Sequence, residues 1–167
     1  MKSTTELVST ICNFLEQIGI TVELGIIEHD TVLPGIDLKN GGLLIDLQKL
    51  QFPGDILHEA GHLAVVPAEF RKTMTGAIDP KIDLEMAGEL MAIPWSYAAC
   101  LHLQIDPHIV FHDTGYQGGG SNLVENFECG RYIGVPMLQW IGLTKEPTST
   151  NKGNDDVYPK MLQWVRD

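Results

Sequence analysis

The sequence predicts a single α+β domain, and three features carry that prediction. Alternating apolar runs surround a strong turn signal at Asn40-Gly41-Gly42. A short apolar helix is framed by Pro53-Gly54 and Pro67, and a longer helical stretch covers residues 80–103. The 167 residues suit one domain over 1–167, with a polar, loop-like stretch at 144–158.

Taken in order, residues 4–18 place Leu7, Ile11, Phe14, Leu15 and Ile18 at helical spacing, and Gly19 ends the run. Residues 20–29 and 31–47 read as β-like and predict a small, mixed or mainly antiparallel sheet. Within them, GGLLIDL is expected to supply an edge strand beside a binding cleft. Asp79-Pro80 is a good helix start, with Asp as the cap and Pro at the first helical position. Pro94 falls inside the helix that follows. A Gly-rich loop comes next, then a shorter helix over residues 122–132, where Asn122, Glu125 and Glu128 suit the positive end of the macrodipole.

Composition removes several classes. With 11 basic and 22 acidic residues the net charge is −11, and no basic run exists, so a nucleic-acid partner is not expected. The three cysteines are odd in number and widely spaced, without C-x-x-C, which predicts reduced thiols and not a disulfide framework. The first residues lack the apolar core of a signal peptide, and no apolar run approaches the ~18 residues of a membrane span. The expectation is a cytoplasmic protein with no membrane partner; the oligomeric state is left open.

The chemistry concentrates in DILHEAGHLAV. His58 and His62 stand four apart, so on a helix they share one face and their imidazoles can converge on one ion. Zinc suits two imidazoles and a carboxylate with one position open. Glu59 is turned by about 100° from His58 on the helix. It is therefore placed to act as a general base on water at that open position instead of as a ligand. Otherwise the stretch is apolar or small apart from Asp55, and burying His, Glu and His without a purpose is costly. Gly61 costs about 1 kcal/mol of helix propensity, which points to close approach of another backbone. The competing expectation is a pair of structural histidines with Glu59 in a surface ion pair.

These residues resemble the H-E-x-x-H helix of zincin metallopeptidases. The likeness covers about a dozen residues and implies a zincin-like arrangement, with a small sheet packed on an active-site helix and a long glutamate-bearing helix. The sequence after His62, LAVVPAEFR, lacks the third histidine of metzincins. The gluzincin-like branch would take its third ligand from a glutamate on a downstream helix. Glu85 and Glu89 both qualify; Glu89 is preferred because it directly follows the small Gly88, and Glu85 would then hold a histidine N–H from outside. The spacing from His62 to either glutamate is longer than the common gluzincin spacing. The resemblance further implies an oxyanion donor beyond that helix, for which His112 and Tyr116 come first, ahead of His108 and Tyr97.

GYQGGGS lacks the Lys-Ser/Thr that a phosphate loop needs. Trp95, Trp140 and Trp164 read as core anchors, and the repeated MLQW, at 137–140 and 161–164, as two short apolar docking segments. The expected activity is that of a small zinc-dependent metallopeptidase acting on a peptide or protein. The alternatives are a metal-binding regulatory or interaction protein on the same scaffold without peptidase activity, and a metallohydrolase of small amides.

Overall fold

Ser3 opens the first helix, α1 (Thr4–Gln17), through a capping box: its hydroxyl accepts from the Glu6 N–H while the Glu6 carboxylate accepts from the Ser3 N–H. The chain is described here by a computed structural model covering residues 3–79, 81, 83 and 87–167. The helix ends where the periodicity predicts. Gly19 sits at φ 90°, Gly19 N–H donates to Glu16 O and Ile20 N–H to Leu15 O, the paired bonds of a Schellman cap. The buried stripe Leu7, Val8, Ile11, Phe14 and Leu15 faces the core.

Three short strands follow: β1 (Val22–Leu24), β2 (Ile36–Lys39) and β3 (Gly42–Ile45). Asn40 and Gly41 join β2 to β3 with φ of 51° and 78°, the left-handed pair of a type I′ hairpin turn. The sheet order is β1-β3-β2. Ile36 of β2 lies opposite Ile45 in antiparallel register, whereas β1 runs parallel to β3 with Val22 opposite Leu43. The sheet is therefore mixed, and GGLLIDL supplies the central strand, not the expected edge. The β-like runs are also cut short. Ile36 N–H turns back to Leu33 O around Pro34-Gly35; past β1, Gly25 N–H still donates to Ile45 O, whereas Ile27 N–H donates to the Asp46 carboxylate. That buried carboxylate accepts from the N–H groups of Ile27 and Gln48, which, the Ile27 bond first, hold its pKa below the usual carboxylate range.

Helix α2 (Asp55–Val65) is buried almost all round, with Ile56, Leu57, Ala60, Leu63, Ala64 and Val65 inaccessible. One side packs on α1 and β3 and another on α4 (Gly88–Leu103). A Cβ on Gly61 would stand 3.1 Å from Ala92 O and 3.2 Å from Ala92 Cα. The expected close approach at Gly61 is present, with Ala92 of α4 as its partner. The helix predicted over 80–103 is interrupted: Lys81 and Asp83 are helical, with Asp83 N–H donating to Asp79 O, but α4 starts afresh at Gly88. Ala87 before it has φ 51° and ψ 38°, which breaks the helical path. Pro80 and Glu85 lie outside the described residues. Within α4, Pro94 offers no N–H; its own carbonyl accepts from Tyr158 OH at 2.9 Å, and Ser96 Oγ donates to Ala92 O at 2.7 Å.

A four-residue helix, α3 (Ala68–Arg71), follows α2, and a 3₁₀ turn (Pro107–Ile109) follows α4. Helix α5 (Gly120–Glu128) starts earlier and stops sooner than the expected 122–132, and α6 (Val135–Trp140) completes the helices. Of the stretch 144–158 expected to be loop-like, residues 145–158 hold no helix or strand, whereas Thr144 forms an isolated antiparallel bridge with Met161. Residues 161–167 then return across the molecule. Trp164 meets Phe14 edge-on at 4.9 Å and Trp95 at 5.7 Å, and its carbonyl accepts from Trp95 Nε1. Arg166 N–H donates to Ala64 O at 2.8 Å, while the Arg71 guanidinium donates to Leu63 O, Val66 O and Arg166 O. The carbonyls ending α2 are thus capped by two arginines far apart in sequence.

Trp95 and Trp164 pack as anchors, but Trp140 is 77% exposed, contrary to the expectation for all three. The MLQW pair is also used unequally: Leu138 is fully buried, whereas Leu162 is 52% exposed. Among the described residues no helix is long and apolar enough to cross a membrane.

Two outcomes test this packing. Gly61→Leu should cost about 1–3 kcal/mol by overpacking the α2–α4 contact, read by urea unfolding. The thiols should react with a disulfide reagent in the order Cys129, Cys12, Cys100. Cys129 is exposed and Cys12 half-buried; Cys100 is buried, and that burial pushes its thiol up to about 12. Cys100 should react only after unfolding.

Candidate metal centre

Helix α2 presents His58 and His62 from one face, as their spacing requires, with ring planes at 85° and centroids 4.9 Å apart. Their Nε2 atoms stand 3.3 Å apart. Glu89, in the first turn of α4, brings Oε2 to 3.1 Å from His62 Nε2 and 3.4 Å from His58 Nε2. Three donors bonded tetrahedrally to one ion at about 2.0–2.1 Å would be separated by about 3.3 Å. The observed triangle has those edges, so His58, His62 and Glu89 fit a metal ion without rearrangement.

The far nitrogens are also held. His62 Nδ1–H donates to Asp83 Oδ1 at 2.8 Å, and His58 Nδ1 lies 3.0 Å from Tyr116 OH. The Asp83 carboxylate can only accept, so it keeps a proton on His62 Nδ1 and turns Nε2 to the cluster; the Tyr116 hydroxyl orients His58 in the same way, as donor or acceptor. Burial lowers the pKa of His62, but hydrogen bonds to Asp83 and Glu89 outweigh it and carry the group up to about 9. Burial raises that of Glu89, and its bonds to the two histidines reverse the effect and hold it far below the usual carboxylate range. The cluster attracts a cation, whether a proton or a metal ion, and the two compete for it.

Asp83 is the residue that sequence reasoning missed. Its position was masked by the expectation of one unbroken helix from residue 80, which turns it to a different face. The αL residue Ala87 folds the chain so that Asp83 and Glu89 reach the same imidazole from opposite sides, and Asp83 Oδ2 also accepts from Glu89 N–H. Gly88 is small for this reason: a Cβ there would fall 2.0 Å from Asp83 Oδ1. The space beside Gly88 is held by the Asp83 carboxylate, with His62 Nδ1 of α2 3.4 Å from the same point.

Glu59 lines the same cleft as the triad. Its carboxylate takes no hydrogen bond from the described residues. Desolvation raises its pKa, and the neighbouring His62 and His58 offset that only in part. Tyr116 is brought to the site but behind His58, outside the cleft lining. Burial, then the charges of Glu89 and Asp55, hold its phenol well above the ordinary range, so it stays neutral. His112 is not brought to the triad. It stacks on Phe52 at 4.0 Å, accepts from Gly115 N–H on Nδ1 and donates from Nε2 to Asp55 at 2.8 Å, which engages both nitrogens. Asp55 opens α2, so His112 anchors the start of the helix that carries the metal donors. His108 pairs with Asp106 at the surface, and Tyr97 is buried against Phe127.

The cleft has a volume of about 560 Å³. Ile36 and Asp37 of β2 form one wall, and residues 76–78, paired to β2 through Leu38 and Gly76, form another. No protein-family model, curated protein or solved structure matches the chain.

Zinc loading should give about one ion per chain by elemental analysis. His58→Ala, His62→Ala and Glu89→Ala should each abolish it. Asp83→Asn should weaken binding about 10–100-fold in a chelator competition. Gly88→Ala should do the same while leaving His58, His62 and Glu89 intact, because it displaces the Asp83 carboxylate.

Proposed function

We propose that the protein is a zinc-dependent hydrolase of peptide bonds, with a zincin-like placement of metal donors on α2 and α4. The observation that carries this reading is the conjunction in one cleft of the His58–His62–Glu89 triangle and a desolvated, unbonded Glu59 carboxylate. A metal site alone has no use for Glu59, whereas hydrolysis needs a base that is not a ligand.

Zinc bound there would act as a Lewis acid toward water and the substrate carbonyl. The remaining work falls to the chain. Asp83 and Tyr116 hold the imidazoles of His62 and His58 so that both Nε2 atoms face the donor triangle. Glu89 supplies the single negative charge of the donor set. Glu59 takes the proton from the attacking water, and its raised pKa makes it a stronger base than an ordinary carboxylate. As the carbon–nitrogen bond breaks, Glu59 delivers that proton to the departing amine, so the group is regenerated.

One observation favours the rival reading of a metal-binding module without peptidase activity. His112 is committed to Asp55 and Gly115, and Tyr116 to His58, so neither expected oxyanion donor faces the cleft. The two readings separate on Glu59→Gln. The hydrolase reading predicts that this variant keeps its zinc and loses about 10²–10⁴-fold in peptide cleavage, scored by mass spectrometry on a peptide library. Equal cleavage by variant and wild type would sink the mechanism, and no cleavage by the zinc-loaded wild type would favour the binding module.

A further inference from the structure

The walls of the cleft carry information about what enters it. Five carboxylates line the cavity, from Asp30, Asp37, Glu59, Asp83 and Glu89, and no lysine or arginine does so among the described residues. Three of the five serve the triad or its chemistry. Asp30 and Asp37 do not: they belong to the stretch from His29 to Asp37 that lines the cavity, where Asp37 meets His29 Nε2 at 2.9 Å and accepts from Leu38 N–H, and Asp30 is exposed and takes no side-chain hydrogen bond from the described residues. Between the acids the wall is aliphatic. Val32 is 83% exposed although it borders the cavity, and Leu33 and Ile78 remain only half-buried. Aliphatic surface left in water beside a row of acids is unfavourable for the free protein and suits a ligand that is apolar and cationic at once.

We propose that the cleft selects peptide segments with an aliphatic side chain beside a lysine or arginine, and rejects segments with carboxylates or phosphates at those positions. The aliphatic group packs on Val32, Leu33 and Ile78; the cation faces Asp30 and Asp37. Apart from the metal donors and His29, the lining offers a free C-terminal carboxylate no cationic side chain, so the segment is taken from within a chain and not from its C-terminal end. Low-dielectric walls of one charge sign focus the field and raise the local concentration of such segments. This deepens the peptide reading given above and rests on it for the claim that a peptide is the occupant.

The test uses zinc-loaded Glu59→Gln protein and three end-capped decapeptides that share a Leu-Val core, flanked by Lys, Gln or Glu. Binding is measured by titration calorimetry, with wild-type cleavage of the same peptides followed separately. The Lys peptide should bind roughly tenfold more tightly than the Glu peptide at low salt, with Gln between them, and the gap should shrink at high salt. Asp30→Lys, an exposed change, should bring the Lys and Glu peptides to within about twofold, and Asp30→Asn with Asp37→Asn should do likewise. Val32→Ser should weaken all three peptides by roughly three- to tenfold without changing their ranking. Equal binding of the Lys and Glu peptides, discrimination that survives in Asp30→Lys, or no binding of any peptide would overturn the proposal. Charge-selective binding without cleavage by the wild type would leave this inference standing and remove the hydrolase reading. Cleavage of all three peptides with no difference in affinity would do the reverse.

Discussion

The approach of α2 to α4 at Gly61 and Ala92 sets the geometry on which the rest depends. The histidines belong to one helix and Glu89 to the other, so the separation of the two backbones fixes the edges of the donor triangle. Any side chain at position 61 would enter that separation directly. The sheet and α1 hold α2 from its other side, His112 and Asp55 hold its beginning, and Arg71 and Arg166 hold its end. A helix of eleven residues has little stability of its own. It is straightened and oriented by partners on every face, which is the condition under which three donors stay within a few tenths of an ångström of a useful geometry.

Charge is the second constraint. Two imidazoles with 16% and 6% of their side-chain surface exposed share space with Glu59, Asp83 and Glu89. Such a group is expensive unless each member is bonded or balanced by a cation. Asp83 and Glu89 are satisfied by histidine nitrogens, whereas Glu59 is not. The imbalance leaves one carboxylate with nothing to do in the folded protein alone, and its place beside the donor triangle gives it a role.

The sequence made the local chemistry legible. The spacing of His58 and His62, the need for a close neighbour at Gly61 and the preference for Glu89, weighed against Glu85, all follow from helical geometry or from the small residue beside it. The α1 boundaries and the Asn40-Gly41 hairpin were readable because capping and turn chemistry are local. What failed was non-local or conformational. Ala87 adopts a left-handed backbone that nothing in an alanine announces, and the expected helix hid Asp83 behind it. The partners of His112 and Tyr116 are 57 and 58 residues away and depend on how the loop after α4 is laid over α2. The parallel pairing of β1 with β3, and the bond by which Asp46 holds Ile27 beyond β1, join residues distant in sequence that no periodicity pairs.

The cap on α2 has a consequence for the order of events during synthesis. Two of its last carbonyls, Ala64 O and Val65 O, are closed by Arg166, about a hundred residues downstream. While a ribosome is still making the chain, those carbonyls keep water as their partners, and Trp95 lacks the Trp164 carbonyl that accepts from its indole. Contacts of such sequence separation form late, because loop closure must precede them. A nascent chain therefore carries both histidines and Glu89 well before it carries the segment that locks the helix bearing them.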